Sequence, residues 1–179
     1  MTTLIRSLLL CCPLLTLQAG VYEDLEYGDS KLDVTKKLMN CERVENTVPE
    51  TMFGRVGLNG TFRIKKQLNG LSFALYFDWD EDDQLKEITL RSDAIPVGEY
   101  NSTLKEAFKS ASSLITELYG NPVMGNTMPT SSQLEEGMIL NSHLWHPEEG
   151  TLLMGVAREN GKYHLSIRFL EKRIEPVRN

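Results

Sequence analysis

Short stretches of alternating apolar and polar residues, separated by turn formers, run from Met52 to Ser92. Asn59-Gly60 and Asn69-Gly70 interrupt this run. Asn-Gly between alternating stretches marks a β-hairpin, because both residues accept positive φ. A two-residue turn at Asn69-Gly70 sets Leu68 against Leu71, Lys66 against Phe73, Ile64 against Leu75 and Phe62 against Phe77. The apolar side chains of both strands then share one face, as a sheet with one buried side requires. At Asn59-Gly60 the same parity needs a three-residue loop, Leu58-Asn59-Gly60, which places Val56 by Phe62 and Gly54 by Ile64. A loop of Glu81 to Gln84 pairs Phe77 with Ile88 and Leu75 with Leu90. The pattern predicts four antiparallel strands in a meander.

A helix precedes this meander and another follows it. Ser30 with Asp33 three residues later resembles a capping box, and Val34, Leu38 and Cys41 fall on one helical face, so the first helix runs from about Asp29 to Asn40. Residues 42–51 are polar, end near Pro49 and read as a loop. Thr103 and Glu106 form a second capping box ahead of Leu104, Ala107, Phe108, Ala111, Leu114, Ile115 and Leu118 at helical spacing. Gly120 and Pro122 close that helix. A long loop follows, Asn121 to Gly137, with Met124, Met128 and then Met138 as adaptable apolar side chains. Three strands end the chain, at about Met138–His146, Thr151–Arg158 and Lys162–Glu171. A turn at Asn160-Gly161 pairs Val156 with Leu165, Met154 with Ile167 and Leu152 with Phe169. The expected class is α+β, built as two tandem helix-plus-antiparallel-meander units. They are α-ββββ over 20–95 and α-βββ over 96–179, with the helices on one face of the sheet or sheets. Each half is near the lower size limit for independent folding, so the halves are expected to pack together or to join their sheets.

Composition changes this picture mainly by placing the protein. Arg6, the apolar run Leu8–Leu17 and Gln18-Ala19-Gly20 have the layout of a signal peptide over 1–19, cleaved near Ala19. The run is too short for a transmembrane segment. A lipid-anchored alternative would use Cys11 or Cys12, although Leu10 before and Leu14-Leu15 after fit it poorly. The expected location is the periplasm or the extracellular space. Loss of Arg6 takes the formal charge from −6 to −7. An acidic chain without a basic block argues against nucleic acid as a partner. After cleavage Cys41 stands alone, so the fold must be held by its core and not by disulfides.

Chemistry is sparse. Asp78-Trp-Asp80-Glu-Asp82-Asp83 alternates carboxylates, and Asp78, Asp80 and Asp82 are candidate metal ligands. An EF-hand pattern fails there, since position 6 is Asp83 and position 12 is Thr89, so a solvated hairpin tip is the plainer reading. His143 and His146 lie three apart on a strand and point to opposite faces. No phosphate-binding loop and no Ser-His-acid arrangement occurs, so no catalytic residue and no cofactor is assigned. The better candidate is the polar side of the strands: Arg63, Lys65, Tyr76, Thr89 and Arg91, then His164, Ser166 and Arg168. Tyr and Arg are enriched where proteins grip one another.

Gly28-Asp-Ser-Lys-Leu-Asp-Val34 resembles the start of the helix in small envelope domains of the SmpA/OmlA type, the family of the outer-membrane assembly lipoprotein. Their usual pattern is Gly, any residue, Ser or Thr, two variable residues, an acid or Gln, then Val. Leu118-Tyr-Gly120-Asn-Pro122 is similar to the Leu-Gly-x-Pro helix exit of that family, with one extra residue. Tandem copies of such a unit also form the β-lactamase inhibitory protein architecture. The resemblance implies an exported, non-enzymatic module that binds another protein with its sheet; the length of the 121–137 loop makes it the other candidate surface, and envelope assembly or inhibition are the candidate roles. A metal-dependent enzyme or hydrolase using the acidic tip, and a structural envelope protein, remain as alternatives.

Overall fold

The computed structural model describes residues 21–176; the expected signal peptide over 1–19, with its cleavage near Ala19, and the alternative anchor residues Cys11 and Cys12 lie outside them. Helices and an antiparallel sheet share the chain. Helix α1 (Lys31–Met39) starts where expected, with the Ser30 hydroxyl accepting from the Asp33 N–H. Asp33 near its start and Lys36 and Lys37 near its end match the helix dipole. Val34 and Leu38 are buried, and Cys41 packs beside them half-buried.

Eight strands follow: β1 (Val44–Asn46), β2 (Phe62–Ile64), β3 (Phe73–Trp79), β4 (Leu85–Ser92), β5 (Met124–Gly125), β6 (Ile139–Trp145), β7 (Thr151–Glu159) and β8 (Lys162–Leu170). They form one sheet in the order β1-β2-β3-β4-β8-β7-β6-β5. Every neighbouring pair is antiparallel. The β3–β4 register is the expected one, with Phe77 opposite Ile88 and Leu75 opposite Leu90. So is the β7–β8 register, with Val156 opposite Leu165, Met154 opposite Ile167 and Leu152 opposite Phe169. Asn69 and Asn160 adopt φ of 48° and 51°, and the glycines after them 79° and 68°, so both hairpins use the double positive-φ turn.

Several expectations need correction. First, Met52 to Val56 is not a strand. Pro49 opens a tight helical turn (Glu50–Met52) that runs into a short helix, α2 (Phe53–Val56), closed by Gly57 at φ 76°. Phe53 faces the core there, and strand parity, which sets Gly54 and Val56 inward, does not apply to a helix; Val56 is half exposed. The edge place goes instead to β1, in the stretch read as a loop, with Val44 opposite Ile64 and Asn46 opposite Phe62. Second, the β2–β3 ladder is displaced by two residues: Arg63, not Lys65, lies opposite Ala74. A bend at Lys65-Lys66 absorbs two residues between this pair and the Leu68–Leu71 bridge. An even slip keeps every side chain on its expected face. Third, the Thr103–Glu106 capping box does not form. A helical path already begins after Pro96, continues through a π-turn (Tyr100–Leu104) and enters α3 (Lys105–Tyr119) without a side-chain cap. The Thr103 hydroxyl donates to Glu99 Oε2 instead.

Tyr100 and Leu104 of the π-turn are buried, in line with Ala107, Phe108, Ala111 and Ile115. Leu114 and Leu118, expected in the same stripe, are 47% and 66% exposed. Burial pushes the Tyr100 hydroxyl up to about 12, so it stays a donor and bonds the Pro129 carbonyl at 2.6 Å. The buried side chains of α1, α3 and the inward strand positions form one hydrophobic cluster. The connector after β4 is tied in as well, through paired bonds between Ile95 and Tyr163.

Gly155 shows how tightly β6 and β7 are joined. The β6 bulge at Ser142 pushes the Leu140 carbonyl towards it, and a Cβ at Gly155 would stand 2.2 Å from that oxygen and 2.7 Å from Asn141 Cα. Backbone on both sides cannot step aside. Gly155→Ala is therefore expected to destabilise the fold by about 2–3 kcal/mol in urea denaturation, the scale of overpacking a rigid site.

Candidate functional site

The face of the sheet turned away from the helices is built by strand alternation. Even-numbered residues of β3 and β8 share it with odd-numbered residues of β4 and β7, by the pairings of those strands. One row across the sheet reads Arg63, Ala74, Arg91, Ser166, Gly155 and Asn141. The next reads Tyr76, Thr89, Arg168, Leu153 and Leu144. Ala74, Leu144, Leu153 and Ala157 are buried here, yet none belongs to the main hydrophobic cluster.

Each of the three arginines is held by a carboxylate. Arg168 grips Glu87 with two bonds, Nε to Oε1 at 2.6 Å and Nη2 to Oε2 at 2.9 Å. Such a fork fixes a guanidinium plane as one bond cannot. Arg91 pairs with Glu159 and lies 5.7 Å from the centroid of the Tyr76 ring. Arg63 pairs with Asp93. Tyr76 in turn lies across Gly60, whose added Cβ would meet the phenol oxygen at 3.3 Å. The Asn59-Gly60 pair does not join two strands but completes the edge of β3. Gly60 N–H donates to the Leu75 carbonyl at 2.8 Å, and Asn59 Oδ1 accepts from the Phe77 N–H at 2.7 Å.

His164 is buried at the seam between β4 and β8. Its Nδ1 lies 2.9 Å from the Ser92 carbonyl, which can only accept, so Nδ1 carries the proton. Its Nε2 then accepts from Arg91 Nη2 at 2.9 Å. Of the sequence-predicted face residues, Arg63, Tyr76, Arg91, His164 and Arg168 stand on this surface. Lys65 does not join them; it sits in the bend past β2 and its ammonium donates to the Glu42 carbonyl at 2.8 Å. The carboxylates Glu87, Asp93 and Glu159 were missed. Glu87 had a usable signal, since it is two and four residues from Thr89 and Arg91 and so shares their face. Glu159 continues the odd-numbered set of β7 on this face and Asp93 that of β4, but each lies one residue past the strand end expected from the sequence, Arg158 and Ser92.

The other candidates are occupied locally. Asp80 Oδ1 accepts from the Asp82 and Gln84 N–H groups at 2.9 and 2.8 Å, closing the β3–β4 turn. Asp78 pairs with Lys86 and Asp83 with Lys31. Among the described residues no group of three or more His, Cys, Asp or Glu could hold a metal ion, so Asp78, Asp80 and Asp82 are not gathered into a site. His143 stacks on Trp145 and meets Phe108 edge-on, while His146 bonds the Ile174 carbonyl at 2.9 Å. No described helix is long and apolar enough to cross a membrane. Comparison with protein-family models, curated proteins and solved structures finds no match.

Burial lowers the affinity of His164 for a second proton, and Arg91 adds repulsion, outweighing the bond to Ser92 and the charge of Asp93. Burial does the same at His143. Both therefore bind protons more weakly folded than unfolded. Their stabilisation is complete above the unfolded value near 6.5 and declines as pH falls below it towards their lowered folded values. Urea midpoints are expected to be level above neutrality and to fall on acidification. The slope per histidine is bounded by about 1.4 kcal/mol per pH unit. His164→Gln should flatten it; an unchanged pH profile in that variant would remove His164 from the account.

Proposed function

We propose that this chain is an exported, non-catalytic protein that binds another protein through the helix-free face of its sheet. The observation that carries this reading is the ordered set of Tyr76, Arg91 and Arg168 on adjacent strands. Their planes are set by a cation–π contact and a two-bonded carboxylate. Ordering long side chains before contact removes part of the entropy cost of association. Strands of a continuous sheet also place such groups more rigidly than a loop does.

The alternative binding element, the loop after α3, is less suited to adaptable capture. Its Thr130 and Gln133 form a reciprocal cap, Leu134 is buried, and Met128 packs on the core. The sheet face is therefore the favoured surface.

The tandem reading belongs to the same proposal. Helix α1 precedes β1 to β4 and helix α3 precedes β5 to β8, and each set of four runs from the sheet's edge to its centre. Two copies of one α-ββββ unit, joined last strand to last strand, would have this order. The second copy then has one more strand than expected, the short β5. Gly28 to Ser30, the stretch that resembles the SmpA/OmlA helix start, has a mechanical task here. Gly28 N–H donates to the Leu85 carbonyl and Leu85 N–H to the Asp29 carbonyl, fastening α1 to β4. An exported module of that kind fits the signal-like N-terminus.

A photoreactive residue in place of Tyr76 should capture the partner in the compartment where the chain resides, and one in place of Leu118 on α3 should not. With that partner purified, Tyr76→Ala and Arg168→Ala should each cost about 2 kcal/mol or more of binding, as central anchors do. Unchanged affinity in both would move the interface elsewhere. N-terminal sequencing of the secreted or periplasmic chain should start at Gly20.

A further inference from the structure

Helices α1 and α2 do not close on each other over the end of β3. Between them runs a groove of about 580 Å³, walled by Leu32 and Thr35 on one side, Val56 and Leu58 on the other, with Trp79 at its end. This volume lies within the usual range for bound ligands and anchoring side chains. Leu32 is 61% exposed and Val56 50%, so two large aliphatic side chains border the same opening.

Gly54 lies within α2 and also lines this groove. Its φ is not positive, so the backbone does not require glycine. A Cβ placed there meets nothing within 4 Å, so packing does not require it either. Glycine inside a helix costs roughly 1 kcal/mol relative to alanine. Gly54 is exposed, and a side chain added there would project into open space at the groove.

The rim has a definite charge. Lys31 stands 5.5 Å from the Trp79 ring centroid and pairs with Asp83 at the tip of the β3–β4 hairpin. That tip carries Asp78, Asp80, Glu81, Asp82 and Asp83, and only Lys31 and Lys86 pair with it. Glu81 and Asp82 are exposed, and among the described residues neither side chain is engaged in an ion pair. The groove is lined by one charged side chain, Lys31, whose ion pair with Asp83 joins it to the acidic tip.

We propose that this groove takes a short basic and hydrophobic peptide segment of a partner. One bulky aliphatic or aromatic side chain fills the space over Gly54 against Leu32, Val56 and Trp79. Flanking lysines or arginines meet the carboxylates of the tip. The site is separate from the sheet face, and its failure would leave the reading of that face untouched.

Trp79 is half-buried at the groove while Trp145, the other tryptophan, is fully buried, so Trp79 supplies the signal. The full chain is titrated with a synthetic amphipathic leucine–lysine peptide and with its glutamate-for-lysine counterpart. The expected result is a saturable change in tryptophan fluorescence with the basic peptide only, lost in Trp79→Phe. Gly54→Leu, whose fold is checked by circular dichroism, should weaken binding roughly tenfold, as loss of an anchoring pocket does. The double variant Glu81→Gln, Asp82→Asn leaves the turn bonds of Asp80 in place and should weaken binding about threefold at low salt. Equal binding of the acidic peptide, or full affinity in Gly54→Leu, would overturn the proposal. So would self-association of the wild type, seen by sedimentation and abolished by Gly54→Leu, because the groove would then belong to a second copy.

Discussion

The pairing of β4 with β8 is the contact on which everything else rests. Glu87 to Arg91 lie opposite Leu170 to Ser166, and this short ladder is what makes eight strands one sheet. Without it each half would be a domain near the lower limit of size, with a row of unpaired backbone groups along its innermost strand. With it, the side chains of α1 and α3 and the inward rows of both halves merge into one cluster. Among the described residues the outermost strands are β1 and β5, of three and two residues. Edges so short offer little template for unwanted strand pairing.

The polar face depends on the same seam. Glu87 of β4 holds Arg168 of β8, and Arg91 of β4 meets His164 of β8 and Glu159 of β7. These contacts run between strands of the two halves. Half-exposed ion pairs contribute little to stability, about 1 kcal/mol or less each. Their consequence is geometric: they set the guanidinium planes, while the apolar cluster beneath supplies the stability.

Much of this was legible in the chain, and for a physical reason. Where a double positive-φ turn joins two alternating strands, the turn fixes which residues oppose, and one-sided burial checks the parity. Met154 with Ile167 could be paired on that logic. Phe77 with Ile88 followed from the four-residue loop Glu81–Gln84, whose positive φ is at Asp83, and beyond Asn69-Gly70 the bend at Lys65-Lys66 shifted the register by two. The β4–β8 contact could not be read in this way, because no local turn joins those strands and alternation says nothing about which distant strand is the neighbour. Asn59-Gly60 misled for a related reason. The dipeptide accepts positive φ at Gly60 but does not dictate that two strands meet there, and Pro49 with Gly57 marked a short helix instead. The π-turn before α3 was hidden because Thr103 and Glu106 have the right spacing for a cap. The backbone is already helical when it reaches them, so no free N–H awaits the threonine. On the candidate face, alternation located the arginines, while Asp93 and Glu159, which hold two of them, lie one residue past the strand ends expected from the sequence.

The two surfaces proposed for binding differ in how much of their charge is already satisfied. On the sheet face each arginine has its carboxylate, so a partner meets a nearly neutral, ordered plane. Discrimination there must come from shape, stacking on Tyr76 and the unused guanidinium donors, with little dependence on salt. At the groove, Lys31 joins the lining to the hairpin tip, which keeps carboxylates in excess of the two lysines that pair with it. Attraction there acts over distance and is screened by salt. On these proposals a single sheet would hold a contact surface whose charges are spent on its own order and, near one end of β3, another whose charges remain free to draw a partner in.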